Sequence, residues 1–300
     1  MKVVVTGARG KVGSAAVRAL QHAGHEVRAS DRQRPVFERQ LDDEPDYWQA
    51  ELTDAGATFA LLRGADAVVH AAAIPDPAHN PAHVVFANNL MAAFNVIEAA
   101  VRWGLRRLVN ISSETVPGFL FAERPWTPHY VPFDEDHPVL PQDPYALAKH
   151  FAEQLCDAAV RRSDLRCISL RSSWVQHEGN YERNIGPLVR DPSLPSANFY
   201  SYIDVYDLAD AIRLAVESDV VGHEVMFVAS PDNATGRPLA DLVRAAHGDT
   251  IEIRPLPRED ASGTGIAKAR RVLGWEPTRS WRDYLDDDGR LRDSDPHRRA

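Results

Sequence analysis

The chain is short of cysteine: two stand in 300 residues, Cys156 and Cys167. They have neither metal-ligand spacing nor a disulfide framework, so both are expected as core filler in a reducing compartment. Positive charge is also scarce, with 34 Lys and Arg against 43 Asp and Glu and a net charge of −9. The basic residues are scattered, which excludes the clustered basic face that nucleic acid requires. No apolar run approaches the ~20 residues needed to cross a bilayer, and the N-terminus enters a β-branched run instead of a basic-then-apolar leader. A soluble cytoplasmic protein with no membrane partner is expected. Twelve histidines are present, yet no ligand set for a metal is legible. Pro81 separates His79 from His83, and Asp134-Glu135-Asp136-His137 reads as a solvated loop face. Nor is there a solenoid-type repeat or a disorder-class composition. The one charged run mixes both signs with Gly and Pro, and 286–300 is expected as a solvated tail.

What the chain does contain begins at once, with Lys2-Val3-Val4-Val5-Thr6-Gly7-Ala8-Arg9-Gly10-Lys11-Val12-Gly13. The β-branched run reads as a buried parallel strand, and Val12, Ala16, Val17 and Leu20 continue as a helix face. Gly7 permits the turn, Gly10 removes the Cβ that would hold a pyrophosphate away, and Gly13 lets helix and strand pack closely. The free N–H groups at the helix start attract the anion, so Gly7, Arg9, Gly10, Lys11 and Val12 form the expected phosphate side. A second strand, His25-Glu26-Val27-Arg28-Ala29-Ser30, ends in Asp31 at the ~20-residue distance of a ribose-binding carboxylate. Asp31 would accept both ribose hydroxyls and repel a 2′-phosphate, which favours NAD over NADP; Arg32 beside it pulls the other way.

A polar connection leads to a third strand at Tyr47-Trp48-Gln49-Ala50 and then Glu51-Leu52-Thr53-Asp54. Asp54 either receives the adenine amino group or caps the next helix, and the sequence leaves both open. Ala67-Val68-Val69-His70 runs into Ala71, Ala72 and Ala73, small residues that let a cofactor approach a fourth strand. Residues 81–104 carry a helical period, and Leu108-Val109-Asn110-Ile111 delivers Ser112 and Ser113 to a carboxyl edge. Residues 114–143 form a long proline-rich loop whose aromatics, Phe119, Phe121, Trp126, Tyr130 and Phe133, suggest packing over the site. A helix over 145–162 and a strand over 166–171 follow. Alternating strands and helices predict an α/β fold, a Rossmann-like doubly wound parallel sheet with a small carboxyl-side substrate lobe. The dinucleotide-binding part is expected over 1–173 and 201–230, and the lobe over 174–200 and 231–285.

Tyr145 and Lys149 are four apart on one predicted helix and so share a face. With Ser113 they place three polar groups beside a nicotinamide. Tyrosine titrates near ~10, and an adjacent ammonium would favour phenolate; a base near neutrality needs about three units, roughly 4 kcal/mol. Tyr145 would take the proton from a secondary alcohol while Ser113 holds the same oxygen.

These motifs, with His70-Ala71-Ala72, Asn89, Tyr202-Ile203-Asp204-Val205-Tyr206-Asp207 and Leu273-Gly274-Trp275-Glu276-Pro277, resemble the extended short-chain dehydrogenase/reductases, the NAD-dependent epimerase/dehydratase family. The resemblance implies NAD, a sugar-like small-molecule substrate, and Ser113, Tyr145 and Lys149 as the catalytic set. It places Asn89 and Ser112 with the cofactor and suggests a homodimer through the helices starting near Pro81 and Tyr145. Family members that bind the dinucleotide only as sensors typically lose the Tyr–Lys pair, which this chain keeps. The chain also departs from its relatives. Where nucleotide-sugar epimerases carry an asparagine after the sixth strand stands Trp174, and where they carry an arginine before the later tyrosine stands Tyr200. A small sugar or sugar acid is therefore expected over a nucleotide sugar. In uronate dehydrogenases an arginine after an Asn-Tyr pair holds the carboxylate; here Asn180-Tyr181-Glu182-Arg183 offers Arg183, which as readily reads as an exposed loop arginine. Glu114 and Thr115 follow Ser113 where those enzymes have Asn-His, setting a carboxylate where an acid would sit.

Overall fold

The computed structural model describes residues 1–33 and 46–292. The polar connection before Asp46 and residues 293–300 of the charged tail lie outside them. In chain order the strands are β1 (Lys2–Thr6), β2 (Glu26–Asp31), β3 (Asp46–Gln49), β4 (Ala67–His70), β5 (Arg107–Ser113), β6 (Tyr130–Val131), β7 (Arg166–Ser172), β8 (Val175–Gln176), β9 (Ile203–Asp204), β10 (His223–Val228) and β11 (Glu252–Ile253). The helices are α1 (Lys11–His22), α2 (Ala55–Leu62), α3 (Ala82–Trp103), α4 (Pro144–Arg162), α5 (Tyr181–Asn184), α6 (Gly186–Arg190), α7 (Val205–Glu217), α8 (Leu239–His247) and α9 (Ala267–Leu273).

Seven parallel strands form the central sheet in the order β10-β7-β5-β4-β1-β2-β3. The order reverses between β1 and β4, which opens a crevice at their carboxyl ends. Both faces are covered, as a parallel sheet demands. Val3, Val5, Val69 and Ile111 pack with Leu208 and Ile212 of α7 on one side, while Val4, Val68 and Leu108 meet Val96 of α3 and Cys156 of α4 on the other. Both cysteines are buried, free members of that second cluster.

The expectation that no segment matches a membrane span needs one correction. By length and composition α3 is long and apolar enough to cross a bilayer, although half of that stretch is buried in the fold. Its 22 residues are rich in alanine and lie between α2 and α4, so apolarity here serves helix packing.

The loop over 114–143 turns toward the carboxyl-side lobe. β6 pairs with β11 in parallel, and Phe119, Phe133 and Phe199 share one core with Leu239 and Val243. Trp126 packs on that core and Phe121 is exposed, so the loop's aromatics hold the lobe together. The segment over 174–200, expected as part of the lobe, contains β8, α5 and α6 and packs Tyr181 and Ile185 with Tyr202, Trp281 and Leu285. The charged tail starts later than expected. Residues 286–292 turn back on the lobe through a Leu285–Leu291 bridge, with Arg292 Nε donating to the carbonyls of Arg282 and Leu285 at 2.9 Å each.

Candidate active site

The first turn of the chain is as tight as the glycines imply. Gly7 has φ +67°, and a Cβ there would lie 2.7 Å from Ala72 Cα; one on Gly13 would lie 2.1 Å from the Gly7 carbonyl oxygen. Side chains are excluded at both positions, so a backbone cradle is left open between β1, α1 and the Ala71–Ala73 segment. A cavity of about 420 Å³ runs along it, lined by Gly7, Arg9, Gly10, Asp31, Leu52 and the three alanines 71–73 among others. Asp31 Oδ2 accepts the Arg9 backbone N–H at 3.2 Å, which fixes the carboxylate at the rim, and Arg32 also lines the cavity. A cleft with the start of α1 on one side and a carboxylate beyond the second strand fits a dinucleotide.

Not every expected contact lies there. Asp54 Oδ1 accepts Ala57 N–H at 3.0 Å and caps α2, and Asp54 is not part of the cavity wall. Lys11 and Val12 also stand off the wall. Lys11 Nζ reaches toward the Val175 carbonyl at 3.5 Å, and burial and nearby Arg183 lower its pKa. Asn89 clamps the loop after β4, its Oδ1 accepting Ile74 N–H at 2.8 Å and its Nδ2 donating to the Ile74 carbonyl at 3.0 Å. That pair of bonds sets the height of the alanine wall.

Ser113, Tyr145 and Lys149 do come together. Asp143 caps α4 by accepting the N–H groups of Tyr145 and Ala146 at 2.9 Å each, and Pro144 opens the helix, so Tyr145 stands on the first turn facing the end of β5. Tyr145 is half-buried as a residue, and its hydroxyl lies deep enough beside Ser113 for Ser113 to lower its pKa. Thr115 donates twice to Ser113 Oγ, from N at 3.2 Å and Oγ1 at 3.0 Å, which leaves the serine proton free to point outward. Lys149 Nζ donates to the Ile111 carbonyl at 2.6 Å and lies 5.7 Å from the centre of the Tyr145 ring.

At Tyr145 burial dominates the electrostatics. Burial pushes its hydroxyl up to about 12, with Ser113 pulling down and the carboxylates of Asp143, Asp76 and Glu114 pushing up. The Lys149 ammonium is held at the sheet backbone, and burial lowers its own pKa to about 8 against the pull of Glu153. His70, buried at the end of β4 with Nδ1 3.0 Å from Thr6 Oγ1, is driven down to about 3 by burial and by Lys149.

Two buried carboxylates flank this set. Glu153, one turn beyond Lys149, accepts Arg171 Nε at 2.9 Å, Arg171 Nη2 at 2.8 Å and Ser112 Oγ at 2.6 Å, and is held down at about 2 against its burial. Ser112 is thus occupied by α4. Glu114 Oε1 accepts Asn198 Nδ2 at 3.0 Å, and burial pushes this carboxyl up to about 8. Neither Glu153 nor Asn198 stands out in the sequence. The available signal for Glu153 was an acidic residue four positions after Lys149 on an otherwise small, apolar face of Ala148, Ala152 and Cys156.

Of the expected substrate contacts, Glu114 and Thr115 are buried beside Ser113, and the Trp174 backbone N–H approaches Glu114 while its ring is exposed. Arg183 is exposed and lies near Lys11 and His177. Tyr200, in the left-handed region at φ +61°, lines a second cavity of about 580 Å³ with Phe119, Trp126, Phe199 and His247, and its hydroxyl is satisfied by the Leu194 carbonyl at 3.0 Å.

Comparison with known proteins agrees with this geometry. A UDP-glucose 4-epimerase of Lacticaseibacillus casei is 24% identical over 314 residues, covering 92% of each chain. A uronate dehydrogenase of Pseudomonas syringae pv. tomato is 24% identical over 271 residues, covering 86% of this chain and 88% of that one. A crystal structure of a short-chain dehydrogenase/reductase superfamily protein from Agrobacterium tumefaciens, with bound NAD, superposes with a TM-score of 0.71 at 24% identity over 94% of each chain and shares the fold. Residues 3–191 match the model of the NAD dependent epimerase/dehydratase family. This chain belongs to the NAD-dependent epimerase/dehydratase family.

Proposed function

We propose that the protein is an NAD-dependent oxidoreductase that moves hydride reversibly at a secondary alcohol or hemiacetal of a small sugar or sugar acid. The observation that carries this reading is the meeting of Ser113 and Tyr145 at the carboxyl end of β5, with Lys149 behind them and the dinucleotide cleft beside them. Gly7, Gly10 and the Ala71–Ala73 wall would hold the cofactor, and Asp31 would favour NAD by repelling a 2′-phosphate. When bound, NAD supplies the hydride acceptor and, oxidised, a positive ring charge. Tyr145 Oη takes the proton of the substrate hydroxyl while Ser113 Oγ donates to the same oxygen. Bringing Tyr145 from about 12 to near neutrality requires roughly 7 kcal/mol of phenolate stabilisation, so the site works only when a positive charge joins Ser113 and Lys149.

A second reading, a nucleotide-sugar 4-epimerase, is favoured by the names of several relatives. Trp174 and Tyr200 argue for the smaller substrate. One experiment separates them: the purified protein is given NAD with D-galacturonate, D-galactose or UDP-galactose. Net NADH formation with a free sugar supports the dehydrogenase; UDP-glucose formed from UDP-galactose without net NADH, by a protein that retains NAD, overturns it. A dimer through α3 and α4 belongs to the same reading, since Val84, Met91 and Phe94 of α3 and Phe151 of α4 are exposed apolar side chains. A monomer in sedimentation equilibrium would contradict it.

A further inference from the structure

Glu114 is a buried acid beside the catalytic pair whose chemistry the mechanism above leaves unused. Its backbone N–H donates to the Ser172 carbonyl at 3.0 Å and extends the β5–β7 ladder by one residue, so its position is fixed by the sheet. The side chain is only 4% exposed. Oε1 accepts from Asn198, and Oε2 is buried without a hydrogen-bond partner. The groups around it are neutral. Asn198 Nδ2 also donates to the Ser201 carbonyl at 2.7 Å, and the hydroxyls of Ser262 and Thr264 donate to Ser201 Oγ at 3.0 and 2.9 Å. Ser173 and the Trp174 N–H face the carboxyl from the end of β7, and from α4 the titratable neighbour is Tyr145. No lysine or arginine is among the groups that act on it.

A carboxylate buried among neutral groups gains little from ionising and forfeits its hydration, so the protonated form is favoured. With Oε1 engaged as an acceptor, the proton belongs on Oε2. We propose that Glu114 is held as a neutral carboxylic acid in the wall beside Ser113, and that this lets the site take an anionic sugar acid. The acid would otherwise meet a like charge at close range. The inference rests on the sugar-oxidoreductase reading, and it removes the objection that Glu114 raises to an acid substrate. The direction of titration agrees: burial pushes Glu114 up to about 8, with Asn198, Ser173 and the Trp174 N–H holding it no higher.

Glu114→Gln keeps a neutral acceptor and a neutral donor in the same shape, so it separates a neutral acid from an ionised one. In the wild type, KM for D-galacturonate should rise about tenfold per pH unit above pH 8, while KM for D-galactose does not follow that rise; in Glu114→Gln the rise should vanish. An alkaline rise that survives in Glu114→Gln, or turnover of both sugars abolished by it at every pH, overturns the proposal. A second measurement needs no substrate. Because the native pKa lies above the unfolded one, wild-type stability relative to Glu114→Gln should fall steadily between pH 5 and pH 8 and level off above, read as the difference in urea midpoints. A flat difference overturns the proposal by itself. The expected slope without turnover of either sugar instead counts against the sugar reading, and removes with it the assigned use of the neutral Glu114.

Discussion

Two glutamates are buried at the end of β5, and they stand in opposite states. Glu153, on the α4 side, is locked by two bonds from Arg171 and one from Ser112 and stays ionised, with its pKa held at about 2. Glu114, on the lobe side, meets the Asn198 amide and a set of hydroxyls and is pushed to about 8. Their exposures are 2% and 4%, so burial does not distinguish them. The partner does: a guanidinium replaces the lost hydration of an anion, and an amide does not. The α4 side of the site is thus built from cancelling charges and the lobe side from neutral donors and acceptors.

Breaking the α4 side should produce the largest effect. Arg171→Met leaves Glu153 buried and unpaired, and a cost of about 3–5 kcal/mol is expected in urea unfolding. Adding Glu153→Leu should recover most of it, since removing both charges together is far cheaper than removing one. If the single variant costs under about 1 kcal/mol, the pair is not what holds Glu153 ionised. Tyr145, which Glu114 acts on from the lobe side, offers a sharper division. Tyr145→Phe should lower turnover by a factor of about 10² to 10⁴ with NAD affinity and urea midpoint unchanged, whereas Arg171→Met should act chiefly on the midpoint.

The contrast between the two sides also marks how much was legible in the sequence. The glycine turn, Asp31, the alanine wall and the Ser113, Tyr145 and Lys149 set are local signals, each fixed by a short period or a βα turn, and the structure brings them to one edge. The Glu153–Arg171 pair joins α4 to β7, and the Glu114–Asn198 pair joins β5 to the lobe across 84 residues. Such pairings depend on which elements become neighbours, and periodicity does not report that. The same limit explains Tyr145. Helical spacing correctly puts Lys149 on its face, but the nearest strong acceptor for the ammonium is the Ile111 carbonyl, so the charge is drawn toward the sheet. Asp54 shows the local counterpart, where the same carboxylate reads as a cap or a ligand and the structure shows the cap.

A smaller effect is expected on the lobe side. Asn198→Ala removes the donor to Glu114 Oε1 and to the Ser201 carbonyl, leaving two buried acceptors unsatisfied, for about 1–3 kcal/mol. Because no charge is stranded, the loss should stay below that of Arg171→Met, and the Glu114 titration should move further up. An equal or larger loss would mean that the lobe side depends on an ionised Glu114 after all.

His70 tests whether neutral burial governs the whole edge. His70 closes β4 beside the same site, 3% exposed, bonded to Thr6 Oγ1 and driven down to about 3 by burial and by Lys149. Its native pKa lies below the unfolded value of about 6.5, so its contribution is fully present above pH 6.5 and is lost as the pH falls toward 3. The slope is at most roughly 1.4 kcal/mol per pH unit. Glu114 has the opposite sign, since its native pKa is raised and stability is lost as the pH climbs from about 5 to 8. Urea midpoints of His70→Asn, which can still bond Thr6, should therefore pull ahead of the wild type only below pH 6.5, while those of Glu114→Gln pull ahead as the pH rises toward 8. A His70→Asn curve parallel to the wild type between pH 6.5 and 5 would show that His70 is protonated in the native state, and that the neutral side of the edge ends at Glu114.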